Sequence, residues 1–98
     1  MANNVSQTPY ILDTVANNIV TGTIFIGKLR WVGATTAGHA CTIKDGAGNV
    51  IWTSLASGVN YVETDTYPQS HFLVCQGTST TGLSISVLQS GIVYVYLA

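Results

Sequence analysis

The chain predicts an all-β fold: a small antiparallel β-sandwich or jelly-roll-like barrel with a flexible N-terminal arm. Three observations carry that prediction. Turn signals recur at the roughly 8–12-residue spacing of sandwiches and barrels. Several of the intervening runs alternate apolar and polar residues with the period-two pattern of a half-buried strand. No segment shows a sustained helical periodicity, although Asp13–Val20 has room for one helical turn before the Asn17-Asn18 turn signal.

Residues Ala2–Thr8 are small and polar and read as the arm, leaving 9–98 as a single β domain. Pro9–Val15 is an edge strand, because Pro at its start costs no ladder hydrogen bond there. Thr23–Val32 is the longest strand. Strict alternation puts Phe25, Leu29 and Trp31 on one face and Ile24, Ile26, Lys28 and Arg30 on the other, with Gly27 marking a bulge or a close backbone approach. Gly33–Gly38 is a loop of small residues. His39–Lys44 and Val50–Leu55 form a hairpin around Asp45-Gly-Ala-Gly-Asn49, where Gly and Asn tolerate positive φ. Tyr61–Thr66 carries two acids and ends before Pro68, and His71–Gln76 follows. In Gly82–Leu88, Leu83, Ile85 and Val87 point one way while Ser84 and Ser86 point the other. The last strand, Ile92–Leu97, is apolar on both faces, so it is either central or covered by a neighbour.

Only seven of the 98 residues are charged, and the net charge is -1, yet 47% of the residues are hydrophobic. An ordinary soluble domain carries about 25% charged residues. A chain so poor in charge is ill equipped to stay dispersed alone, and much of its surface is expected to be covered by copies of itself or by a partner. A folded chain of this mass exposes about 5,400 Å², and a stable interface takes ~800 Å² per partner. Two such contacts would cover a large share of the molecule. Three basic residues cannot displace counterions from phosphates, which argues against nucleic-acid binding. No run of ~20 apolar residues is present, and the N-terminus lacks the pattern of a secretory leader, so no membrane association is expected and synthesis in a host cytoplasm is.

The residues offer little reaction chemistry. His39 and Cys41 share one strand face, as do His71 and Cys75, and the four together are candidate metal ligands if their strands pair. Their spacing matches no compact zinc signature. A Cys41–Cys75 disulfide and two inert buried thiols are the other readings. Glu63 and Asp65 lie two apart, but read more simply as a solvated strand end than as a carboxylate pair. Asp45-Gly-Ala-Gly-Asn49 lacks the carboxylate density of a calcium loop. Trp31, Trp52, Tyr61, Tyr67, Tyr94 and Tyr96 are candidates for a sugar-stacking platform or for core and subunit contacts. No catalytic residue and no cofactor is expected, so the chain is not read as an enzyme.

The order strand–Trp31-Val-Gly33–Thr/Ala loop–Ile43-Lys-Asp45-Gly–Gly48-Asn-Val-Ile-Trp52, followed by Gly82-Leu-Ser-Ile and Ser90-Gly-Ile-Val-Tyr-Val-Tyr96, resembles small all-β structural proteins of tailed bacteriophages, of the capsid cement or decoration type. The resemblance runs from Gly22 to Ala98 and rests on the style and order of turns. It implies a subunit of the virion's capsid surface that clamps the phage head non-covalently, as a homotrimer bound to the major capsid protein. It also implies an N-terminal arm that grips the shell. On that reading the partner-binding candidates are Asn3, Asn4, Val5 and Tyr10 in and beside the arm, and Tyr94 and Tyr96 in the last strand. The alternative is a tail-associated or adhesin-like carbohydrate-binding β module.

Overall fold

A computed structural model describes residues 3–6, 9–58, 62–67 and 72–98. Among these residues there is no helix, and nine strands are present: β1 (Tyr10–Leu12), β2 (Ala16–Thr21), β3 (Ile24–Val32), β4 (Ala40–Lys44), β5 (Val50–Leu55), β6 (Glu63–Thr66), β7 (Leu73–Cys75), β8 (Gly82–Leu88) and β9 (Ile92–Leu97). The first sheet runs β1-β9-β3-β6, with β7 also on β3, and the second runs β2-β8-β4-β5.

The topology follows from one long antiparallel hairpin. Its tip is the Asp45–Asn49 turn, where β4 meets β5. Moving away from the tip, β3 pairs β6 and β7, β2 pairs β8, and β1 pairs β9. Successive rungs go to opposite sheets, and rolling the hairpin up brings β9 onto β3 and β8 onto β4. That is the double-sheet jelly roll. The turn at the tip is built from its own side chain. The Asp45 carboxylate accepts N–H bonds from Ala47 and Asn49 (3.0 and 2.9 Å), while its own N–H donates to Asn49 O (2.9 Å).

Leu12, Ile26, Leu29, Trp31, Cys41, Ile43, Leu83, Ile85, Val93 and Val95 fill the space between the sheets. Two bulges decide which side chains enter it. Strict alternation along β3 fails at Gly27, where the register against β9 slips between Ile26 and Lys28. An extra residue flips every side chain beyond it. Ile26, Leu29 and Trp31 therefore all face inward, and Phe25, expected to share the face of Leu29, lies outside and 52% exposed. The same happens in β8. Val87 opposes Thr42 and Ile85 opposes Ile43, which leaves Ser86 as the extra residue. Leu88 then packs on the core in place of Val87.

The Asn17-Asn18 signal is also a bulge, inside β2, rather than the expected turn or helical turn. Its register against β8 slips between Ala16 and Val20, and Asn18 holds φ +53°. Asn suits this site because its short amide tolerates left-handed backbone and reaches back to accept the Gly82 N–H (3.1 Å). Ser84, on the face opposite Leu83 and Ile85, is covered by this bulge: its hydroxyl accepts the Asn18 N–H (2.8 Å) and donates to Gly82 O (3.2 Å).

The described part of the N-terminal segment is tied to the domain. Asn4 and Ile11 exchange two backbone hydrogen bonds of 2.8 Å, extending the first sheet beyond β1. Asn3 accepts the N–H groups of Asp13 and Thr14 (2.7 and 2.9 Å) and donates to Thr14 O (2.8 Å). Asn3–Ser6 thus runs beside β1, held by these bonds.

Candidate partner interface

The outer face of the first sheet gathers the chemistry that the fold leaves uncovered. Register places Ile11, Tyr94, Arg30 and Thr64 side by side across four strands. The next row is Tyr96, Lys28 and Thr66, and Ile92 lies beside Val32 on the other side. Past the Gly27 bulge, Phe25 opposes Val74, and both are exposed, 52% and 39%. Three aromatic rings, branched aliphatics and two of the chain's three basic residues therefore share one face. The inward neighbours Val93, Val95, Leu29 and Trp31 hold these strands rigidly from behind.

The Lys28 ammonium lies 5.2 Å from the centroid of the Tyr96 ring. At an exposed site such a contact is worth about 0.5–1 kcal/mol, enough to bias the lysine across the ring. The register puts the acids of β6 in the alternate positions, Glu63 beside Trp31 and Asp65 beside Leu29. Glu63 is occupied elsewhere: its carboxylate accepts bonds from the Ser57 hydroxyl and N–H (2.5 and 2.9 Å), which pull its pKa down. Lys28 and Arg30 bring two of the chain's three basic residues to these rows.

Of the sequence-predicted partner residues, Tyr94 and Tyr96 stand on this face, partly buried. Tyr10 does not join them. It pairs with the inward-pointing Val95 and packs on the core, as does Val5. The Asn3 amide is taken up by residues 13 and 14, and the Asn4 side chain accepts from the Ser6 N–H and hydroxyl (3.1 and 2.7 Å). Alternation predicts Lys28 and Arg30 on a face with Ile26; the Gly27 bulge puts them with the tyrosines instead. A switch of face at that glycine is the signal that locates this site from sequence.

The candidate metal ligands do not form a site among the described residues, where no three of His, Cys, Asp and Glu come together. Cys41 and Cys75 are buried free thiols on opposite sheets. Burial pushes the Cys41 thiol up to about 12, and burial with a smaller contribution from the Asp45 carboxylate pushes Cys75 up to about 11. A thiol so disposed to keep its proton is a poor nucleophile and a poor ligand. His71 lies outside the described residues, as does Tyr61. A His39 ring nitrogen is 2.7 Å from the Ser90 hydroxyl. That oxygen also accepts the Thr35 N–H (3.0 Å), Trp31 donates its indole N–H to Ser90 O (2.9 Å), and Gln89 accepts the Ala40 N–H (2.6 Å). The Ser90–His39 pair, 51 residues apart in sequence, is thus a brace between the β3–β4 loop and the β8–β9 turn.

Both tryptophans are buried, so neither offers a face for sugar stacking, and Tyr67 packs partly on the core. The described residues enclose no pocket. No protein-family model, curated protein or solved structure matches the chain, so the functional reading rests on the sequence and on this geometry.

Proposed function

We propose that this protein is a virion structural protein, a cement or decoration subunit that binds the major capsid protein and copies of itself on the head of a tailed bacteriophage. The observation that carries the proposal is the aromatic and cationic outer face of the first sheet on a domain with only seven charges. Such a face suits a broad, shallow protein surface. Tyr and Arg are the residue types that dominate binding at interface centres, and a partner presenting carboxylates would pair with Lys28 and Arg30. Jelly rolls serve both capsids and lectins, so the fold alone does not choose between them. The burial of Trp31 and Trp52 withdraws two of the six aromatic candidates for a sugar-binding platform.

The mechanism is mass action. A subunit that binds only the assembled shell stabilises it by RT ln(1 + [L]/Kd). A homotrimer seated over a joint between capsid subunits adds avidity, because all its contacts must open together.

The test is attachment to bare heads by Tyr94→Glu and Arg30→Glu variants. Both positions face outward, so the fold is expected to survive with a Tm within a few degrees of wild type. Attachment is expected to fall at least tenfold in each. Undiminished attachment by both folded variants would remove this face from the proposal.

A further inference from the structure

Among the described residues, the four outermost strand edges of the two sheets are not equivalent. At β1 the backbone is occupied by Asn4. The β2 edge is broken by the bulge at Asn17-Asn18. The far edge of the first sheet is split into β6, with four residues, and β7, with three, and β6 carries Glu63 and Asp65. These are the devices by which sheet proteins keep edges from pairing: a cover, a bulge, short strands and charge.

The fourth edge, β5, has six residues, Val-Ile-Trp-Thr-Ser-Leu, with no charge, no Pro and no Gly. Its one irregularity lies at Ile51, near its start, and Trp52–Leu55 pairs with β4 in unbroken register. Leu55 and Val50 are 65% and 53% exposed, and Leu55 is the most exposed of the large hydrophobic side chains described. The direction of the backbone groups follows from the next residue. The Ala56 N–H donates to His39 O (2.9 Å), so in an antiparallel ladder the backbone groups of Ser54 and Trp52 also turn toward β4, and those of Thr53 and Leu55 turn away.

We propose that this edge pairs antiparallel with the β5 edge of a second copy of the chain, across a two-fold axis at Ser54. In that register the Thr53 N–H meets the partner's Leu55 carbonyl and the Leu55 N–H meets the partner's Thr53 carbonyl. The axis repeats both, giving four backbone hydrogen bonds. Outward side chains stay with outward ones, Leu55 beside the partner's Thr53, so neither sandwich turns its core to solvent. An uncharged strand is its own electrostatic complement, and a second copy needs no further partner group. The second sheets of the two copies become one continuous eight-stranded sheet.

The inference stands apart from the virion proposal, since the pairing is a property of the purified protein. The experiment is sedimentation over a concentration series together with amide hydrogen exchange, on the wild-type chain and on Leu55→Lys and Thr53→Pro. Proline is tolerated where the N–H faces outward on an edge, and lysine is an edge guard, so one variant is expected to fold even if the other does not. The expected result is a dimer whose formation protects the Thr53 and Leu55 amides as concentration rises. Both variants should weaken it at least tenfold. Amides of Thr53 and Leu55 that exchange freely at all concentrations would overturn the proposal, and so would association that folded variants leave unchanged.

Discussion

Replacing Asn3 by Ala tests whether the N-terminal segment is part of the domain. The substitution removes three hydrogen bonds, of 2.7, 2.9 and 2.8 Å, that hold residues 13 and 14. It also loosens the Asn4–Ile11 bridge that follows in the chain. A net hydrogen bond is worth about 0.5–1.5 kcal/mol. Two of these three lie at exposed positions, where water replaces the lost partner, so the sum belongs at the low end. Loss of a comparable side-chain cap on backbone N–H groups costs about 0.5–2 kcal/mol. We therefore expect a loss of about 1–2 kcal/mol. For a domain of this size that lowers Tm by roughly 5–15 °C, and with a urea slope near ~1.5 kcal/mol per molar it moves the midpoint by about 1 M.

Amide exchange locates the effect. In the wild type the Ile11 and Asp13 N–H groups are bonded to Asn4 O and to the Asn3 side chain. Both should lose protection in Asn3→Ala, while the Val95 amide keeps its own. Asn3→Asp retains the acceptor oxygen and loses the amide donor, so it should fall between the two. A variant within ~0.3 kcal/mol of wild type with Ile11 still protected would refute the reasoning. The result also bears on attachment. An arm that grips a shell must first leave β1, and a variant that weakens this tie should bind heads no worse, and better if release limits binding.

Three further predictions concern the buried thiols and the last turn. In the native protein at pH 8, Cys41 and Cys75 should resist a disulfide reagent that titrates both at once after unfolding. Because folding raises both thiol pKa values, to about 12 and about 11, the native state holds protons that the unfolded chain releases. This contribution to stability is complete below the unfolded thiol pKa and is lost as pH rises toward the native values. Urea midpoints should therefore decline from about pH 9 upward, and less steeply in a Cys41→Ala/Cys75→Ala chain; equal slopes would contradict the assignment. Gly91→Ala should cost more than ~2 kcal/mol by urea unfolding, since φ is +83° and a methyl group would strike Val32 O and the Trp31 indole nitrogen. A loss under ~1 kcal/mol would mean that the β8–β9 turn yields easily.

The fold class was legible because turn chemistry is local. Asp45-Gly-Ala-Gly-Asn49 announces the tip of the long hairpin, and Ser90-Gly91 announces the last turn before β9. The two sides of each strand were legible only up to the first bulge. Alternation puts Phe25 on the face of Leu29 and Trp31 and Ile26 on the face of Lys28 and Arg30, and the structure does the reverse because one extra residue at Gly27 inverts everything beyond it. The same slip at Ser86 exchanges Val87 for Leu88. The tyrosines of β9 were visible as a strand apolar on both faces. Their companions Lys28 and Arg30 were not, since Gly27 signals a bulge or a close approach in the sequence and only the long-range pairing with β9 decides between them. The Ser90–His39 brace and the Asn3 cap escaped for the same reason.

The two surfaces singled out here lie on different sheets, and this bears on how so uncharged a chain can be used. The tyrosine face belongs to β9 and β3 of the first sheet, and the unguarded edge belongs to β5 of the second. Neither uses residues of the other, so occupying one leaves the other open. A pair of chains joined through β5 would present two tyrosine faces in a fixed relation. A surface that repeats at that spacing would then be held at an effective concentration set by the rigid joint instead of by the free protein. A weak face is sufficient under those conditions. Strong single-site binding would need charge or a deep pocket, and this chain has seven charged residues and no enclosed pocket among its described residues. On the proposed reading the chain works through many modest contacts made together, as a repeating lattice offers them.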